Sequence, residues 1–244
     1  MTTTTQNRNN ITDNIRFLSG AQLKYIAFLS MLIDHTNKAL IYPYLNGGIL
    51  QHISDLFDIL GRIAFPLFCF LLVEGFFHTR SRGKYLATLI VFGVISEVPF
   101  DMFSTATFFN ANWNNVMFTL ALVLLTIWII DELRKKTEKL PQLLRIAAVL
   151  LVVGVMCLVS MYLGLDYEHH AILIGFWMYI FRDKRILSIP FCFLSMYKSP
   201  WALLGFGLSL TYNGERGKQY KLLNYLFYPV HLLVLGILRM YLGI

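Results

Sequence analysis

The sequence predicts an all-α, polytopic membrane bundle, and three observations predict it. Of 244 residues, 57% are hydrophobic and only 14% are charged, whereas a soluble domain carries about a quarter charged residues. The mean hydropathy is +0.58. This apolar character recurs in blocks along the whole chain, many of them near the roughly 20 residues needed to cross a bilayer core. Finally, the Lys and Arg residues gather in short clusters between those blocks, as in loops that remain cytoplasmic.

About nine spanning segments are expected, in order 22–44, 55–77, 84–103, 115–131, 143–163, 169–181, 185–197, 200–212 and 222–242. The sixth to eighth are short, which leaves tilt, half-depth insertion or re-entrance open. Arg8, Arg16 and Lys24 flank the start of the first. Arg80, Arg82 and Lys84 lie between the second and third, and Arg134, Lys135, Lys136, Lys139 and Arg145 between the fourth and fifth. Arg182, Lys184 and Arg185 separate the sixth and seventh, and Arg216, Lys218 and Lys221 the eighth and ninth. The opposite loops carry Asp55, Asp58, Asp166 and Glu168, with Lys198 as their basic residue. The positive-inside rule then places the N-terminus in the cytoplasm and the C-terminus outside.

Residues 1–20 start Thr/Asn-rich and read as a disordered cytoplasmic segment, leaving 21–244 as one transmembrane domain. No signal peptide is expected, because the first apolar run begins late and lacks a small-residue cleavage site. Cys69, Cys157 and Cys192 fall inside apolar runs without Cys-x-x-Cys spacing, and read as small buried hydrophobes. The net charge of +7 does not argue for nucleic acid, since the basic residues are dispersed over loops rather than gathered on one folded surface.

Ionisable residues inside the apolar blocks are the candidates for function. Asp34 and His35 sit within the first, where an Asp at a helix centre costs roughly 2.5–3.5 kcal/mol. Asp34 and Lys38 are spaced i, i+4 in the favourable order for an ion pair. His35 projects about 100° away from Asp34, so the two address different neighbours. The second block carries Arg62, four residues before Pro66, and then Glu74 and His78 on one face. In the third, Glu97 and Asp101 straddle Pro99 at a spacing where like charges repel, with Arg62 and Lys38 as available counter-charges. The run from Asp166 to His170 holds metal-capable side chains, but adjacent residues chelate one ion poorly. It reads as a solvated loop rimming a cavity, and no metal is expected. In the last block Tyr228 and His231 flank Pro229, while Arg239 is near enough to the end to snorkel. The plain structural alternative is that Asp34–Lys38 is an internal ion pair, that Arg62 and Glu74 each sit in a structural ion pair, and that the histidines are satisfied core or interfacial residues.

Such a set suits general-base catalysis, in which a His held by a carboxylate deprotonates a hydroxyl or amine that attacks an activated acyl group. Arg62 would steady the developing oxyanion. It also suits a proton-coupled transporter, although the inverted repeats typical of transporters are not visible. A non-catalytic membrane assembly factor is the third reading.

Several motifs resemble those of the TraX family. They are Leu23-Lys24-x-Ile26-Ala27 with Met31-x-Ile33-Asp34-His35, Arg62-x-Ala64-Phe65-Pro66-Leu67-Phe68, and Glu74-Gly75-Phe76-x-His78-Thr79. Ser96-Glu97-x-Pro99-Phe100-Asp101 and Tyr228-Pro229-x-His231 complete the set, which spans nearly the whole chain from Leu23. TraX proteins are named for an acetylase of F-type pilin, and the family is similar to membrane acyltransferases that move acetyl groups from cytoplasmic acetyl-CoA to extracytoplasmic sugars. The resemblance implies an acetyl-CoA-dependent O- or N-acetyltransferase domain over 21–244 in a bacterial cytoplasmic membrane. It implies His35 as general base, tuned by Asp34 or Glu97, with Arg62 on an anionic group. Glu74, Asp101, Tyr228, His231 and Lys38 would bind substrate. By charge and side alone, Arg80, Arg82, Lys84 and Arg216 would meet the phosphates of acetyl-CoA at the basic inner face, where they are also ordinary positive-inside residues. The acceptor would be a glycan, a lipid-linked sugar or a pilin-type peptide.

Overall fold

The computed structural model describes residues 15–110 and 112–244, and their regular elements are all helical. Helix α1 spans Gly20–Thr36 and opens on a capping box, in which Ser19 N donates to Gln22 Oε1 at 2.8 Å while Ser19 Oγ accepts from Gln22 N. It runs on without a break into a π turn, Asn37–Ile41, and a 3₁₀ turn, Tyr42–Tyr44, where Pro43 ends the α-helical pattern. The expected disorder over 1–20 is overtaken at its end: Leu18 N donates to Thr211 O and Asn213 N to Leu18 O, each at 2.9 Å. The earlier part, 1–14, lies outside the described residues.

Helices α2 (Ile49–Gly61) and α3 (Ala64–His78) divide what reads in sequence as one segment. The break falls at Arg62-Ile63 because Pro66 has no N–H for the carbonyl four residues back, that of Arg62. Gly205 fits against this break: a Cβ there would lie 2.7 Å from Ile63 O. Helix α4 covers Arg82–Thr105, α5 Val116–Lys136 and α6 Gln142–Tyr162. The shorter α7 (Glu168–Ile180), α8 (Arg185–Ser195) and α9 (Ala202–Ser209) precede the long α10 (Lys221–Leu242).

The core lies where α3, α5 and α7 meet. Val73, Phe76, Val123, Ile127, Ile172 and Ile174 are buried there, and Gly175 lets α7 approach Val123 closely. Cys69 and Cys192 are buried and Cys157 half-buried, all as free thiols. Leu143, Leu150, Leu151 and Leu158 on α6 remain exposed, as expected of a helix whose outer face meets lipid. Among the described residues, five helical runs are long and apolar enough to cross a bilayer: Ile49–His78, α4, α5, α6 and α10. The chain is a multi-pass membrane protein.

The count of nine spans is not met, and with it goes the ninefold alternation from which the sides of the termini were inferred. Helices α7, α8 and α9 have 13, 11 and 8 residues. At about 1.5 Å per residue they reach roughly 20, 17 and 12 Å, short of a core of about 30 Å. Arg239 also departs from expectation. It does not snorkel; its Nη1 donates to Phe103 O at 2.6 Å and Ser104 O at 2.8 Å, so it staples α10 to the carbonyl end of α4. A cation there also meets the negative end of the helix dipole.

Candidate functional site

The site forms where the end of α1 meets the α2–α3 break and α10. Asp34 is 6% exposed and sits against Gly61, where any Cβ would fall 2.5 Å from Asp34 Oδ1. Its Oδ2 accepts from Lys38 Nζ at 2.6 Å, and its Oδ1 lies 3.7 Å from Arg62 Nη2. Arg62 is equally distant from Asp58 Oδ1, which accepts from Asn37 Nδ2 at 3.3 Å. Two cations thus face two carboxylates. At 3.7 Å Arg62 is attracted without being hydrogen-bonded, so its donors retain capacity for another anion. Its place in the break between two helices aims it away from a regular helix face.

His35 faces α10 instead. Its Nδ1 is 2.9 Å from His231 Nε2, the rings stack at 5.1 Å, and Phe103 closes on His35 at 4.7 Å. The second nitrogen of His231, Nδ1, is 2.6 Å from Phe227 O. A carbonyl only accepts, so His231 Nδ1 carries the proton and its neutral Nε2 is an acceptor. His35 Nδ1 must then be the donor, which leaves the lone pair of His35 Nε2 without a partner among the described residues. Three linked groups therefore fix the tautomer of the half-buried His35 as that of a base. Pro229 lies between Phe227 and His231 in the same helix.

The carboxylates expected to tune His35 are engaged elsewhere. Asp34 serves Lys38 and Arg62. Glu97 accepts from Asn115 Nδ2 in a short hydrogen bond and from Asn115 N at 3.5 Å. Asn115 in turn caps α5 by accepting from Met117 N at 3.0 Å, so Glu97 holds a helix start. Asp101, 1% exposed, accepts from Asn110 N at 2.8 Å and anchors the turn after α4. Neither Glu97 nor Asp101 receives Arg62 or Lys38 as its counter-charge.

Glu74 lies in a second polar cluster, at the other end of α3 from Arg62. Its buried carboxylate faces Arg182 and Arg185 at 3.4 and 3.3 Å and His78 at 3.5 Å. Tyr228 is buried edge-on to His231, with ring centroids 5.7 Å apart. Of the cations expected to meet acyl-donor phosphates, Arg80, Lys84 and Arg216 are exposed. Arg82 instead pairs with Asp131 at 2.7 Å and packs over the Phe76 ring at 3.9 Å.

Asp166 and Tyr167 join the site although their sequence reads as a solvated loop. Asp166 N donates to Asn114 O at 3.1 Å, and Thr119 Oγ1 donates to Asp166 O at 2.7 Å, tying the 163–167 turn down onto α5. Tyr167 is left-handed at φ 63° and stacks on Phe65 with centroids 3.6 Å apart. That conformation is costly for a bulky side chain and marks an over-determined segment. Crowding by protein pushes the Asp166 carboxyl up to about 6, opposed by Lys38 and Arg62 and reinforced by Asp34. The loop carboxyl therefore lies in the field of the Asp34–Lys38–Arg62 group. The turn that brings it there has left-handed backbone at Gly164 (φ 56°) as well as at Tyr167, and only the first of these is announced by a glycine. Nearby, His170 Nδ1 lies 2.5 Å from Ser195 O, which ties α7 to α8.

The model of a family described as TraX protein matches residues 19–239. The chain is 30% identical to a probable fimbrial assembly protein FimC, serogroup H1, of Dichelobacter nodosus, over 94% of this chain and 98% of that one. No solved structure matches. The family match takes in α1 through most of α10, including Asp34, His35, Arg62 and His231, and on that extent the chain belongs to the TraX family.

Proposed function

We propose that the protein is a membrane acetyltransferase that moves an acetyl group from acetyl-CoA to a hydroxyl or amine of an extracytoplasmic or membrane-linked acceptor. The observation that carries this reading is the free Nε2 lone pair of His35, directed by a chain of two hydrogen bonds through His231 to Phe227 O. In the reaction His35 Nε2 takes the proton of the acceptor as its oxygen or nitrogen attacks the thioester carbonyl. Arg62 stabilises the oxyanion of the tetrahedral intermediate. Collapse expels the thiolate of coenzyme A, which recovers the proton from His35. Lys38 and Asp34 hold Arg62 in a balanced electrostatic setting, and Tyr228 lines the acceptor side. On this reading the basic end of the bundle faces the cytoplasm by the positive-inside rule, and exposed Arg80, Lys84 and Arg216 there meet the donor phosphates. His35 lies fifteen residues along α1 from Gly20, about 22 Å at the helical rise. The donor thioester therefore enters the bundle lengthwise, while its nucleotide stays at the basic end.

The test is acetyl transfer or acetyl-CoA hydrolysis by the purified protein. His35→Ala should abolish either activity and leave the melting temperature close to that of the wild type. Acetyl-CoA turnover unchanged in that variant would overturn the reading. The relative's description as a fimbrial assembly protein favours a second reading, a non-catalytic part in assembling a surface fibre. On that reading His35→Ala retains assembly in cells and the purified protein consumes no acyl donor. A pilin-type peptide acceptor would reconcile the two, because modification of a fibre subunit is itself a step towards assembly.

A further inference from the structure

A cleft of about 700 Å³ opens between the end of α5, the start of α6 and α7, apart from the His35 site. Its polar rim holds Arg134, Lys135 and Arg145 with Asp131 and Glu138, and its wall is Ile146, Val149, Phe176 and Tyr179 among others. Asp131 is already satisfied by Arg82 and Lys135, each at 2.7 Å, and by the Tyr179 hydroxyl at 3.0 Å. Arg134 and Arg145 have no carboxylate partner among the described residues. Arg134 lies over the Tyr179 ring at 5.9 Å, which aims it across the cleft mouth. Glu138 is the one rim carboxylate without a cation partner there, so the rim remains net positive.

Both α5 and α6 are long and apolar enough to span a bilayer, so a cleft at their joined ends lies at headgroup level. Beyond the rim, α6 exposes Leu143, Ile146 and Leu150 towards hydrocarbon. We infer that this cleft binds an anionic phospholipid, its phosphate on Arg134 and Arg145 and one acyl chain along Ile146 and Val149. A soluble phosphate uses only the rim, whereas the continuous apolar wall rewards a ligand that carries both parts. Basic pockets between transmembrane helices at the cytoplasmic surface recognise lipid headgroups by this combination. The inference does not depend on the acetyltransferase reading.

The test is native mass spectrometry of the full chain released from phosphatidylcholine nanodiscs doped with phosphatidylglycerol. Phosphatidylglycerol adducts should be retained over phosphatidylcholine. R134Q/R145Q should weaken them by about tenfold or more, from roughly 1 kcal/mol per basic residue. K136Q/K139Q, which removes equal charge just outside the cleft, should retain them. Equal retention of phosphatidylcholine, or undiminished binding in R134Q/R145Q, overturns the inference. So does displacement of the lipid by glycerol phosphate or inorganic phosphate, which would mark a site for soluble anions. A phosphatidylglycerol carrying a photoactivatable acyl chain supplies a measurement on the unmutated protein. It should label Ile146, Val149 or Phe176, and labelling confined to other segments overturns the inference equally.

Discussion

His35 and His231 come from the first and last helices and form one hydrogen-bond chain, which the proposed reaction would use to set the base. Because His231 acts through the tautomer of His35, its loss should lower kcat far more than it raises KM. His231→Ala should reduce turnover by about 10²-fold or more, within the usual scale of acid–base contributions. His231→Gln, whose amide oxygen can accept from His35 Nδ1, should recover part of that, and steady-state kinetics on acetyl transfer reads the split. Asp166 gives a pH signature. Its carboxyl is pushed up to about 6 by burial, against about 4 in an unfolded chain. Below the lower value both states hold the proton and Asp166→Asn should not change stability. Between the two values the unfolded chain loses its proton first, so wild-type stability falls as pH rises and the loss is complete above about 6. Asp166→Asn should abolish that fall, as thermal unfolding at pH 4, 5, 6 and 7 would show. At this scale the Asp34–Lys38 pair and the divergence of Asp34 from His35 were legible, because i, i+4 spacing and 100° per residue are local rules. The partner of His35 was not, since only tertiary folding brings position 231 to position 35.

Elements repeat that contrast between local rules and tertiary context. The missing N–H of Pro66 is legible in sequence, and the interruption it causes appears four residues earlier, at the carbonyl the proline leaves without a donor. Asn115 reads as a helix start by its residue type, whereas the carboxylate behind it, Glu97, reads as a candidate catalytic group until packing shows it holding that cap. Helices α7 to α9 resemble spans in composition because hydropathy measures apolarity and not the point where the backbone turns. Arg239 shows the opposite error, a charge assigned to solvent that is spent on two carbonyls. Arg239→Gln should lower stability by about 1–2 kcal/mol through loss of charged bonds at a helix C-terminus, measured as a fall in melting temperature. Arg239→Lys should recover part of the loss, since one ammonium reaches two carbonyls less well than the planar guanidinium.

Across the whole molecule, two ionic stations stand apart from the capping contacts of Glu97, Asp101 and Arg239 and are joined by apolar helices. One holds Asp34, His35, Arg62, Asp166 and His231; the other holds Glu74 with Arg182 and Arg185, and Asp131 with Arg82. Composition and the basic clusters foretold a multi-pass helical bundle, but not that the clusters would fold onto buried acids. Glu74 is the sharpest instance, since removing its cations strands a buried charge. R182Q/R185Q should therefore cost about 3–5 kcal/mol, visible as a large fall in melting temperature, and adding Glu74→Gln to that pair should restore much of it. Restoration is the informative outcome, because a site built to bind an anion through both arginines would not be mended by it.

The stacking of Phe28 on Phe227 and the bond between His35 and His231 show α10 running alongside α1 in the same direction. During synthesis the first helix emerges long before the last, and until α10 arrives His35 has nothing to fix which nitrogen bears its proton. On the proposed reading, His35 is set up as a base only once α10 has packed against α1. On that reading a product lacking α10 would keep Asp34, His35 and Arg62 yet leave His35 without the partner that sets its tautomer.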